Sequence, residues 1–198
     1  MIGKIRKGRS FGGCIRYVTQ KDDAKIIASE GVLLGTAEEM AQSFRWQCLL
    51  NPDVAKPVGH IALSFKPEDA PRLTDAFMTR LAGEYLELMG IRNTQFIVVR
   101  HHGTDNPHCH IVFNRVDFDG KVISDSNDFR RNERVTKMLK DKYSLTYSEG
   151  KQAVKTEKLH ASERVKYEIY RAVKEALRSA DTWKEFQNKL LKMGVEME

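Results

Sequence analysis

At 198 residues and 41% hydrophobic content, the chain has apolar material for one domain of ordinary size and a short appendage, and no run of about 18 apolar residues exists to make a membrane-spanning helix. Three widely spaced cysteines, Cys14, Cys48 and Cys109, and an N-terminus without the apolar core of a secretory signal argue for the cytoplasm and against structural disulfides. The formal net charge of +6 is unevenly spread, because residues 1–21 carry Lys4, Arg6, Lys7, Arg9, Arg16 and Lys21 with no acid and a second basic run spans Arg130 to Lys142, a distribution suited to a polyanion.

In chain order, Met1–Arg6 reads as a short edge strand. Ser10 is a helix N-cap for residues 11–20, with Phe11, Cys14, Ile15 and Val18 on one stripe and Tyr17 off it. Lys25–Ala28 and Val32–Leu34 are expected as short strands around Gly31. Thr36-Ala37-Glu38-Glu39 is a capping box opening a helix to about Leu50, and Val58–Phe65 alternates as a strand. A helix from about Pro71 to Met89 carries Leu73, Phe77, Leu81, Tyr85 and Leu88 at helical spacing, with Gly90 as its C-cap.

Next come two β-rich runs, Thr94–Arg100 and His108–Asn114, joined by the turn-forming Gly103, Asp105, Asn106 and Pro107, an antiparallel hairpin. Four of the six histidines fall within this stretch, at 101, 102, 108 and 110. His108 and His110 share a face. Pairing 101 with 108 brings His101 to them, whereas pairing 102 with 107 brings His102 instead. Three imidazoles converging from paired strands form a metal site with open coordination positions, as a catalytic metal requires.

Beyond the hairpin, a turn at Asp117–Gly120 leads to a short strand at Lys121–Ile123. A helix from about Phe129 to Tyr143, capped by Asn127 or Asp128, buries Val135, Met138 and Leu139. Gly150–Leu159 reads as a basic linker, and helices His160–Ser179, with Val165, Ile169, Val173 and Leu177 inward, and Thr182–Met193 follow, so residues 151–198 are expected as an extension packed on or following the first unit. The fold class is α+β: a central, mostly antiparallel five-stranded sheet in residues 1–150, flanked by helices and followed by the helical extension.

Three segments resemble the relaxase (mobilisation nuclease) family of plasmid and transposon transfer, within the HUH endonucleases. Ser10–Val18 is similar to the family's tyrosine motif, His60-Ile61-Ala62-Leu63-Ser64-Phe65 to its His-x-x-hydrophobic-Ser-Phe strand, and His101-x6-His108-x-His110-Ile-Val-x-Asn114-Arg115 to its metal motif. The resemblance selects His101 over His102. It implies that Tyr17 attacks single-stranded DNA at a transfer origin, giving a 5′-phosphotyrosyl intermediate and a free 3′-hydroxyl. His101, His108 and His110 would hold Mg²⁺ or Mn²⁺ in function, while imidazole chemistry lets Zn²⁺, Ni²⁺ or Co²⁺ occupy the site in vitro. The family often carries an aspartate where this chain has Gly103, which makes Asp105 the candidate orienting acceptor. His60 and Asn114 are further candidates beside the ligands. Lys4, Arg6, Lys7, Arg9, Arg16, Arg100, Arg115, Arg130 and Arg131 are the candidate DNA contacts. A monomer working with accessory mobilisation or coupling proteins is the expected assembly. The alternatives are a rolling-circle initiator or transposase of the HUH class, whose tyrosine usually follows the histidines, and a non-enzymatic zinc-containing DNA-binding module.

Overall fold

The structure, a computed structural model, describes residues 1–147 and 161–197, which divide into two compact units, Met1–Ser148 and Glu149–Glu198. The first unit is an open five-stranded sheet. Its order is β1 (Ile2–Gly8), β3 (Val58–Ser64), β5 (His108–Asn114), β4 (Phe96–His101), β2 (Ala24–Glu30), and every neighbouring pair is antiparallel.

Alternation along the strands produces two layers. On one face, α1 (Phe11–Thr19) and α2 (Ala37–Cys48) set Phe11, Ile15, Val18, Met40 and Phe44 on Val58, Ile97, Val99 and Val112. On the other, α3 (Asp75–Leu88) and α4 (Asp128–Tyr143) set Met78, Leu81, Tyr85, Val135 and Leu139 on Ile61, Leu63, Val98, Cys109 and Ile111. Each fully buried aliphatic or aromatic side chain in these layers contributes about 1.5–3 kcal/mol. Ser10 caps α1 by accepting from Gly13 N at 3.2 Å, and the Thr36–Glu39 box closes α2 in both directions.

Several expectations need correction. Residues 32–34 form no second strand, because Gly31 turns the chain at φ +64° against the Phe118 ring, where a side chain would not fit. Lys121–Ile123 contributes an isolated bridge, Val116 to Val122. Residues 67–72 are a separate 3-10 turn, and α3 starts later, where Thr74 accepts from Phe77 N. Leu88 and Met138 lie 43% and 48% exposed, at the edge of their stripes. Asn127 precedes α4 in a left-handed conformation without a side-chain cap.

The second unit contains α5 (Ala161–Ser179) and α6 (Trp183–Lys192). The expected linker lies outside the described residues. Ala176 packs with Phe186 and Leu190, and Val173 joins them, but Val165, Ile169 and Leu177 are exposed. The ten-residue α6 is too short to cover the stripe of the 19-residue α5.

Candidate active site

The sheet register assembles the histidines. His101 faces His108, and His110 lies between Val99 and Ala62, so the three rings stand together on the face carrying α1. Their available ligand atoms all lie within 4.8 Å of one another. The 101–108 pairing excludes the alternative with His102, which points away, 3.8 Å from the Asp75 carboxylate.

Each ring has its outward nitrogen engaged. His101 Nε2 lies 2.8 Å from the Val18 carbonyl, and His108 Nδ1 lies 3.0 Å from the Asn106 carbonyl. His110 Nδ1 lies 3.0 Å from His60 Nε2. A carbonyl only accepts, so the outward nitrogens of His101 and His108 carry the protons. His101 Nδ1 and His108 Nε2 then present lone pairs to each other at 3.1 Å. Two facing lone pairs repel unless a cation lies between them, so this donor set fits a divalent metal. Burial, reinforced by the neighbouring imidazoles, pushes His110 down to about 3. Burial likewise lowers His60, with help from Arg6, and lowers His108. Neutral imidazole is the form that ligates.

Helical spacing aims Tyr17. Phe11, Ile15 and Val18 bury one side of α1, which turns Ser10, Gly13, Cys14 and Tyr17 toward a cleft of about 520 Å³ floored by His60, Ala62 and His110. The Tyr17 ring stands at 70° and 73° to the rings of His110 and His60, with centroids 5.8 and 6.0 Å away, and remains 61% exposed. The unit's other tyrosines are committed elsewhere. Tyr85 is buried and donates to Asn132, Tyr143 donates to Glu84, and Tyr147 donates to Asp141. Burial pushes the Cys14 thiol up to about 11, so no thiolate rivals the phenol there.

The cationic candidates separate by strand parity. Lys4 and Arg6 project on the site face and line the cleft, and Arg9 is exposed at the turn into α1. Arg16 folds back along α1 so that its guanidinium lies beside Gly12, and it is not among the residues lining the cleft. Lys7 pairs with Asp128 at 2.7 Å and Asp125 at 3.0 Å while also contributing to the cleft lining. Arg100, one residue before His101, therefore faces the other layer and holds Asp75 at 2.7 Å. Arg115 is spent on the Lys56 and Ile123 carbonyls and Asp125, and Arg131 on the Met89 and Ser124 carbonyls. Arg130 is exposed on α4, in the far layer. The geometry thus engages Arg100, Arg115 and Arg131 in internal ties away from the cleft, whereas Lys7 is ion-paired and still lines it.

Two further candidates are displaced. Asp105 is an exposed loop residue, and backbone carbonyls do the orienting instead. Asn114 is fully buried and binds the Phe44 carbonyl at 3.0 Å and Val116 N at 3.0 Å. It sits four residues along β5 from His110, about 13 Å away at strand spacing. His60, by contrast, stands directly behind His110. Sequence reasoning missed Asp23, whose carboxylate accepts from Gly103 N at 2.6 Å, and the exposed Lys21, whose charge acts on His108 and His110. Both become visible only once β2 is paired with β4.

A family model described as "Relaxase: MobA/VirD2-like, nuclease domain" matches residues 17–145, well over half of the chain. No curated protein matches this sequence.

Proposed function

Because the chain belongs to the MobA/VirD2-like relaxase family through its nuclease domain, we propose that it nicks single-stranded DNA at an origin of transfer by transesterification from Tyr17. The observation that carries this reading is the exposed Tyr17 ring in T-shaped contact with His110 and His60 beside the histidine triad.

In this reading the strand lies in the cleft, its phosphates drawn by Lys4 and Arg6. The Tyr17 oxygen attacks the scissile phosphorus as the bond to the 3′-oxygen breaks. The product is a 5′-phosphotyrosyl linkage that conserves the bond energy for resealing. His101, His108 and His110 would hold a divalent cation, which when bound supplies charge neutralisation at the phosphate. The Val18 and Asn106 carbonyls fix the tautomers of His101 and His108, and His60 holds the His110 ring. The protein would act in the cytoplasm as a monomer with accessory mobilisation proteins. Among the described residues, no helix is long and apolar enough to cross a membrane.

A randomised single-stranded oligonucleotide pool, labelled at the 3′ end and incubated with Mn²⁺, tests the proposal. A 5′-phosphotyrosyl bond places the label on protein resistant to denaturant, and Tyr17→Phe abolishes the adduct. An adduct mapping to Tyr143 or Tyr147 would move the protein to the other HUH class. A structural-zinc module would instead unfold on chelation. The buried Cys109, on the opposite face from the triad, gives such a site no fourth ligand.

A further inference from the structure

The loop from His102 to Pro107 joins two members of the triad, and its two ends are tied down differently. At the far end, the Pro107 carbonyl accepts from Phe65 N at 2.8 Å, and Thr104 Oγ1 donates to the Asn106 carbonyl at 2.9 Å. That carbonyl is also the partner of His108 Nδ1. At the near end the tie is Asp23. It immediately precedes Ala24, which pairs with His101 across the β2–β4 ladder. The Asp23 carbonyl accepts from His102 N at 3.2 Å, and its Oδ2 accepts from Gly103 N at 2.6 Å.

Gly103 is matched to this contact. A Cβ there would lie 2.9 Å from Asp23 Oδ2, so a side chain at 103 and the carboxylate compete for one space. The Gly103 N–H holds the Asp23 carboxyl below the usual carboxylate range, as for a charge-assisted acceptor. Asp23 is not among the groups whose ligand atoms converge. Its place is one layer out, behind the backbone that sets where His101 ends and the loop begins.

We infer that Asp23 is a positioning residue, which by clamping the Gly103 amide fixes the spacing of His101 and His108 and thereby sets the affinity of the triad for a divalent cation. The inference rests on the triad being a metal centre. Imidazole nitrogens must reach about 2.0–2.1 Å from an ion such as Zn²⁺, so a shift of a few tenths of an ångström at one end of the loop is felt at the site. Outer contacts of this kind are worth about 10–100-fold in metal affinity.

The test is calorimetric titration of the full chain with Mn²⁺, beside thermal melts of each metal-free protein. Asp23→Ala should weaken binding by about tenfold or more with little change in melting temperature. Asp23→Asn, whose amide oxygen accepts the same N–H, should retain most of the affinity. Gly103→Ala should reproduce the loss, and the Asp23→Ala/Gly103→Ala double variant should bind no more weakly than either single one, since both remove one contact. Should Asp23→Ala fail to fold, Gly103→Ala compared with Asp23→Asn decides the matter. Wild-type affinity in Asp23→Ala or Gly103→Ala, an Asp23→Asn as weak as Asp23→Ala, or losses that multiply in the double variant would each overturn the clamp. His101→Ala separates the two ideas. If it abolishes binding while Asp23→Ala binds Mn²⁺ like the wild type, only the clamp fails; if His101→Ala itself binds Mn²⁺ like the wild type, the metal centre fails.

Discussion

Replacing His60 with alanine isolates the group behind the triad. His60 Nε2 sits 3.0 Å from His110 Nδ1, and for His110 Nε2 to offer a lone pair, Nδ1 must carry the proton and His60 must accept it. His60 therefore makes His110 a better donor and stops its ring from rotating. Loss of such a partner costs about 10–100-fold in metal affinity, or about 1.4–2.7 kcal/mol. Partly buried His60 contributes little to the apolar layers, so metal-free stability should change far less. Mn²⁺ calorimetry and adduct formation from the 3′-labelled pool provide the readouts. We expect weaker Mn²⁺ binding and nicking that recovers as Mn²⁺ is raised. Unchanged affinity in His60→Ala, or nicking that saturating Mn²⁺ fails to restore, would refute this reasoning.

Other expectations follow from the same geometry. Folding holds His60, His108 and His110 below their unfolded value, so the unfolded chain binds more protons just below about pH 6.5. The melting temperature of metal-free protein should rise with pH up to that point, their contribution then levelling off. Asn114→Ala should destabilise the fold by about 2–3 kcal/mol by leaving buried groups unpaired, measured by urea denaturation, with Mn²⁺ affinity intact. Lys4→Ala combined with Arg6→Ala should reduce the salt slope of single-strand binding by about 1.4, at roughly 0.7 per phosphate contact. Fluorescence anisotropy should show no such change for Arg100→Ala, whose cation already holds Asp75.

The site was more legible in the sequence than its surroundings. His-x-His on a strand, a turn-rich loop and a third histidine constrain one another, because strand parity leaves few registers that converge. The cap at Ser10 and the apolar stripe of α1 were equally local, so Tyr17 could be placed off the buried face. Long-range partners decided the rest. Arg100 looks in sequence like one more cation beside His101, yet one step along a strand reverses the face it serves. Asp23 had no signal of its own, since its role depends on which strand lies beside β4. The inward residues of α5 failed for a related reason: a stripe predicts a partner but not how far that partner extends.

The bond from His101 to the Val18 carbonyl ties the triad to the helix that carries Tyr17. The proposed attachment point for DNA is separated by a single peptide link from the anchor of a triad member, on the last turn of a nine-residue helix. If Tyr17 carries the strand as proposed, one turn of α1 serves both as its tether and as the prop of His101.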